Sequence, residues 1–316
     1  MAFSARIDVH QHFVPPAWAQ AMHSRGLTSG MWATPAWSAE EAIAMMDRQG
    51  IASGVLSVTA PGVHLDHDDA ATARTLARAV NEHGAETIRN HPERFGHFAS
   101  LPLPDVNGAL DETAHALDDL GADGVVLMSN AHGHYLGDPA FEPIWAELDR
   151  RAATVFIHPT QPPMPLLPST PAPLADYVFD TTRTALNLVL NGVMSRYANV
   201  RIILSHGGGF LPYAAYRFAG LTSTVVEPDR ATEDLLDDFK RFYFDTALSA
   251  SPSALPALFA FAEPDHILYG SDWPFAPEDA GRYYNHFLET YPHLTSGQAG
   301  AINRGNAELL VPRLAR

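Results

Sequence analysis

Eight short segments rich in Val, Ile, Phe and Tyr recur along this 316-residue chain at intervals too long for hairpins, and stretches of helical length separate most of them. They read as strands at 6–9 (RIDV), 54–58 (GVLSV), 95–100 (FGHFAS), 124–128 (GVVLM), 154–158 (TVFIH), 200–205 (VRIILS), 241–246 (RFYFDT) and 266–270 (HILYG). Helical patterns include 38–49, which opens on Ser38 with glutamates behind it, then 68–90, 107–120, 139–152, 178–197 and 298–310. Strand–helix–strand alternation demands parallel pairing through right-handed crossovers. Eight such units in this length predict an α/β fold of the (β/α)8 TIM-barrel type, one domain over 1–316, with a doubly wound open sheet as the rival.

Two connections exceed ordinary strand-to-helix loops. Residues 13–37 carry Trp18, Trp32 and Trp37 among prolines, and 159–175 (PTQPPMPLLPSTPAP and the residues around it) is proline-dense. Both follow strands, which in a barrel places them at the carboxyl-terminal mouth, where sites are built. A linker between two domains is the alternative for 159–175, against which the strand–helix rhythm continues unchanged.

Composition narrows the function classes. A formal charge of −16 without any block of Lys/Arg argues against nucleic acid and anionic membrane as partners. No apolar run approaches the roughly 20 residues of a membrane span. The chain starts directly in a strand pattern without a signal-peptide profile, so a cytoplasmic protein is expected. Zero cysteines exclude disulfides, thiolate ligands and a Cys nucleophile.

At the carboxyl ends of the predicted strands stand His10 and His12 (strand 1), His158 (strand 5), His206 (strand 6) and Asp272 (strand 8). In a strand, residues two apart share a side, so His10 and His12 can face one divalent ion. A third imidazole and a carboxylate make an N3O set suited to zinc, with manganese or iron as further options. The spacing alone is weak, since the chain holds 16 histidines and a second H-x-H, His132 and His134, in a Gly-flanked loop. That pair reads as a surface or lid element, and His23, His64, His67, His83 and His293 read as solvated. The glycines of SHGGGF (205–210) allow close backbone approach to a ligand or, alternatively, only a tight turn.

At these residues the sequence resembles the amidohydrolase superfamily, in the branch typified by 2-amino-3-carboxymuconate 6-semialdehyde decarboxylase and the phenol-carboxylate decarboxylases. RIDVHQHFVPP, PAFEPIWAELDRRAATVFIHP, RYANVRIILSHGGGFLPY and ILYGSDWPF carry the likeness nearly end to end. The resemblance implies that His10, His12, His158 and Asp272 hold the metal and that His206 is the catalytic histidine. It further implies that Arg217 grips substrate carboxylate, in some members across a dimer interface, and that Phe275 packs on the substrate. A homodimer or higher homo-oligomer is expected. The arginine that the muconate-semialdehyde enzyme carries in its first long loop has no clear counterpart in 13–37, where Arg25 stands alone. That favours a smaller aromatic acid of the salicylate type, such as 6-methylsalicylate. Lys240 is the single lysine, and none precedes it to bridge two metals after strand 4, so the site is expected to be mononuclear.

The expected reaction is non-oxidative decarboxylation of an ortho-hydroxybenzoate, with the metal as Lewis acid and Asp272 and His206 handling the proton. Hydrolysis of a lactone or amide would use the same residues. A metal-binding barrel without turnover is the rival outside enzymology.

Overall fold

The computed structural model describes residues 6–65 and 69–315. Eight parallel strands follow chain order around one sheet: β1 (Arg6–His12), β2 (Ile51–Ser57), β3 (Phe95–Ser100), β4 (Gly124–Met128), β5 (Thr154–His158), β6 (Arg201–Leu204), β7 (Tyr243–Asp245) and β8 (Ile267–Leu268). The segment after β8 returns to β1. The Val9 amide donates to the Tyr269 carbonyl at 3.0 Å, Asp272 N–H to the His10 carbonyl at 2.8 Å, and His12 N–H to the Trp273 carbonyl at 2.7 Å. The sheet therefore closes as the expected (β/α)8 barrel, and β5 and β6, on either side of 159–175, pair directly within it.

The helices are α1 (Pro16–Ser24), α2 (Ala39–Gln49), α3 (Ala70–Asn90), α4 (Val106–Ala114), α5 (Glu142–Arg150), α6 (Asp176–Leu190), α7 (Val193–Arg196), α8 (Leu211–Leu221), α9 (Thr232–Lys240), α10 (Ala254–Phe261), α11 (Glu278–Glu289), α12 (Ser296–Gly300) and α13 (Asn306–Leu310). Their ends follow the residue chemistry. The Ser38 side chain accepts from the Glu41 amide, and Gly50 at φ 67° stops α2 in a conformation that costs a Cβ-bearing residue. The pattern read as one helix at 298–310 is two short helices joined by a π turn, and α1 was hidden in 13–37 by its prolines, of which Pro16 occupies the helix start. Among the described residues no helix is long and apolar enough to cross a membrane.

Strand periodicity sorts side chains into two layers. In β5, Val155 and Ile157 join the layer beneath the helices, while Phe156 joins the barrel interior with Ile7, Val9, Val55, Phe98, Val126, Ile203 and Leu268. Leu310, Val311 and Leu314 plug the amino-terminal end of that interior. Phe98 and Phe156 stack at 5.8 Å, and the Phe156 ring lies 4.8 Å from that of His10, so this apolar plug is the floor of whatever sits above.

β1 breaks the alternation. Ile7 and Val9 point into the barrel, and strict alternation would send Gln11 inward and both neighbouring histidines outward. Instead Asp8 pairs with Gly54 and Gln11 with Leu56, three residues against two, which marks a bulge between them. An extra residue flips every later side chain to the opposite face. His10 and His12 thereby join Ile7 and Val9 on the inside.

Candidate metal centre

His10, His12, His158 and Asp272 are all buried, and their donor atoms lie within 4.8 Å of one another. His10 Nε2 is 3.1 Å from His12 Nε2 and 3.2 Å from Asp272 Oδ1, which is 3.0 Å from His12 Nε2. Bonds of about 2.0–2.2 Å to a tetrahedral ion would space its donors by roughly 3.3 Å, close to these separations.

The other ring nitrogens explain why. His10 Nδ1 meets Asp245 Oδ2 at 2.7 Å, His12 Nδ1 the Ser57 carbonyl at 3.1 Å, and His158 Nδ1 the Pro159 carbonyl at 2.8 Å. Each partner can only accept, so each Nδ1 carries the proton and each Nε2 presents a lone pair to the centre. Three lone pairs and a carboxylate facing one another repel unless a cation sits among them. The residues therefore fit a divalent ion.

Without an ion a proton takes its place: burial opposes charge on His10, yet Asp245 and Asp272 outweigh it and push its pKa up to about 10, so a cation bound at Nε2 displaces that proton. Burial likewise lowers His12 and, with the neighbouring imidazoles, His158. Burial would raise Asp272, but His10, His12 and His206 hold it well below the carboxylate range.

His206 stands beside the four. Its Nε2 is 3.6 Å from Asp272 Oδ2, the oxygen turned away from His10 and His12, and its ring centroid is 4.9 Å from that of His10. Asp245, which sequence reading passed over, links the two: Oδ2 takes His10 Nδ1, and Oδ1 accepts the His206 amide at 2.8 Å. It ends β7, so asking what stands at each strand end would have found it. Asp8 does comparable work below, accepting from the His10 amide at 3.1 Å and from the Ser271 amide at 3.0 Å. It thereby pins the two backbone segments that carry His10 and Asp272, and burial raises its own pKa to about 7.

A cavity of about 200 Å³ opens on this group. Ser29 and Trp32 from 13–37, Pro173 and Leu174 from 159–175 with Tyr177 beyond, and Phe275 wall it. The Phe275 ring is 5.6 Å from that of His12. Both long loops thus reach the mouth as expected, and Ala172 N–H donates to the Gly30 carbonyl across them at 3.3 Å. A cavity of about 150 Å³ admits benzene, so one substituted ring fits here.

Other expectations shift. Arg217 is exposed on α8 and does not line this cavity. Gly207, Gly208 and Gly209 have φ of 64°, 72° and 63°, but their closeness is to the protein itself: a Cβ on Gly209 would lie 2.1 Å from the Val178 carbonyl oxygen. The tight-turn alternative holds. His132 lies in the two-residue turn of a short hairpin and His134 opens its second strand, exposed and 3.4 Å from Asp138. His23 and His293 are exposed as read, and His67 lies outside the described residues. His64 is buried at 6% exposure, and His83 is half-buried, stacked on Phe13 at 6.2 Å. Both were misread because a polar neighbourhood in sequence does not report which loop folds over it.

Comparison with known proteins gives the same answer. The family model described as Amidohydrolase matches residues 7–313. The chain is 42% identical over 318 residues to 6-methylsalicylic acid decarboxylase of Penicillium expansum, covering 98% of this chain and 97% of that protein. A crystal structure of an amidohydrolase II superposes with a TM-score of 0.90 at 33% identity, covering 97% of this chain and 99% of the other. The dihydroxybenzoic acid decarboxylase of Polaromonas, with bound manganese and the inhibitor 2-nitroresorcinol, gives 0.79 at 25% identity, covering 98% and 97%. With the barrel and its buried three-histidine, one-aspartate cluster in place, the chain belongs to the amidohydrolase family, and its decarboxylase relatives mark its branch.

Proposed function

We propose that this protein is a metal-dependent carboxy-lyase that decarboxylates a small ortho-hydroxybenzoate, with 6-methylsalicylate as the first substrate to try. The observation that carries the reading is the division of Asp272. One oxygen faces His10 and His12, and the other faces His206 beside a one-ring cavity. Likeness to the Penicillium enzyme supports the substrate class.

His10, His12, His158 and Asp272 would hold a single divalent ion, which supplies Lewis acidity toward substrate oxygens. The donor set suits zinc, and manganese is the ion held in the Polaromonas relative. Trp32, Tyr177 and Phe275 fix the ring. His206 Nε2 and Asp272 Oδ2 share the proton delivered to the carbon that bears the carboxylate. That C–C bond then breaks, its electron pair returns to the ring, and CO2 leaves, so one proton is consumed per turnover.

The proposal extends to a homodimer. Arg217 shares the outer face of α8 with Tyr213 and Tyr216, 85% and 65% exposed, and Val225 and Val226 nearby are 72% and 63% exposed. Such a patch supports a self-association surface that carries Arg217 toward a partner's site. Arg217→Ala should leave metal content intact while raising KM, with the oligomer followed by light scattering.

The reaction is tested with metal-replete protein in D2O, given ortho-hydroxybenzoates and, separately, lactones. CO2 release with one deuterium at the vacated ring position is expected. Acid from lactones with no CO2 from any benzoate would replace the lyase by a hydrolase.

A further inference from the structure

A second cavity, about 420 Å³, opens at the same mouth over β3 and β4. Ser100, Leu101, Leu103 and Val126 contribute to its wall, with His64 from the loop after β2 and Met128 from the end of β4. It is separate from the metal pocket: Thr59 lines the metal side and Pro61 the other, and between them Ala60 packs against Tyr177 and Met128.

Two polar atoms of this wall have no hydrogen-bond partner among the described residues, Ser100 Oγ and His64 Nε2, in residues only 2% and 6% exposed. His64 Nδ1 lies 3.2 Å from the Leu103 carbonyl, which can only accept. In the neutral ring that places the proton on Nδ1 and leaves Nε2 as an acceptor. Leaving such atoms unmet in a fold is costly. Among the described residues that line the cavity there is no Asp, Glu, Lys or Arg, so a carboxylate entering it would lose its hydration without meeting a permanent cation.

We propose that this compartment binds a neutral hydroxylated aromatic of the phenol class, its O–H donated to His64 Nε2 and its ring on Leu101, Leu103 and Met128. Its role as a product site rests on the decarboxylase reading. Decarboxylation turns an anion at the metal into a neutral phenol, and a compartment without Lys or Arg accepts the product more readily than the acid.

The test uses phenol and 3-methylphenol, with benzoate as the charged control, titrated by ligand-observed NMR into chelator-treated full-length protein. Phenols should bind and benzoate should not. His64→Phe should weaken phenol binding roughly tenfold or more, as expected for an unmet buried acceptor, and His64→Gln, which restores an acceptor, should recover it. In the holoenzyme, added phenol should inhibit noncompetitively against the acid, and His64→Phe should relieve this while CO2 release and metal content persist. Equal binding of phenol to wild type and His64→Phe, binding of benzoate as tight as phenol, or purely competitive inhibition would overturn the proposal. If wild type releases no CO2 yet binds phenol through His64, the site stands and the decarboxylase reading falls.

Discussion

The chain carries two H-x-H pairs, His10/His12 and His132/His134, and they share spacing and nothing else. The first lies in the first barrel strand, fully buried, with rings 4.9 Å apart and both Nε2 atoms turned to the barrel axis. In the second, His132 sits in a hairpin turn at φ 50° and His134, exposed, opens the strand after it. Strand alternation, a bulge that corrects its phase, and fixed partners on each Nδ1 convert two imidazoles into ligands. Spacing without them leaves two ordinary side chains.

The largest effect should come from breaking the first pair. His12→Ala removes a ligand from a closed set and should abolish metal binding and CO2 release together, read by elemental analysis and gas evolution. His206→Asn should keep the metal and slow turnover by about 10²–10⁴, the usual worth of a positioned proton-transfer group. Unchanged turnover would take His206 out of the reaction. Asp245→Asn keeps the fold's shape but weakens its hold on His10, so metal affinity should fall by about 10–100-fold. An unaltered chelator titration would show that β1 alone orients His10.

Burial alone does not make a ligand either, as His97 shows. It is buried at 1% exposure on β3 against Gly84, neither ring nitrogen has a hydrogen-bond partner among the described residues, and burial, aided by His83 and Arg313, lowers its pKa from 6.5 to about 3. It stays neutral in the fold and takes a proton on unfolding, so its contribution is complete above pH 6.5 and is lost as pH falls toward 3. The slope is about 1.4 kcal/mol per pH unit within that window. His97→Leu should flatten the difference between urea midpoints at pH 7 and pH 5, and an unchanged difference would place the acid sensitivity elsewhere. The smallest effect belongs to the second pair. His134→Ala should alter stability by about 0.5 kcal/mol or less and leave metal content untouched.

The barrel was legible because alternation of eight apolar segments with helical stretches is a periodic signal, and each strand end could be asked what it carries. His10, His12, His158, His206 and Asp272 came from that question, and Asp245 answers it equally well. The bulge in β1 was not legible, since nothing in RIDVHQH separates a regular strand from one with an extra residue, and the reading of 6–9 stopped short of the histidines it had to orient. His64 escaped for a different reason: its burial depends on β3 and the hairpin after β4, which are distant in sequence.

One ion at the first pair and its use in decarboxylation set the first H-x-H apart from the second. The most direct measurement is metal stoichiometry together with CO2 release from 6-methylsalicylate for wild type, His12→Ala and His134→Ala. One ion per chain and turnover are expected in wild type and His134→Ala, with both lost in His12→Ala. Metal and activity that survive His12→Ala, or that vanish with His134→Ala, would contradict that distinction.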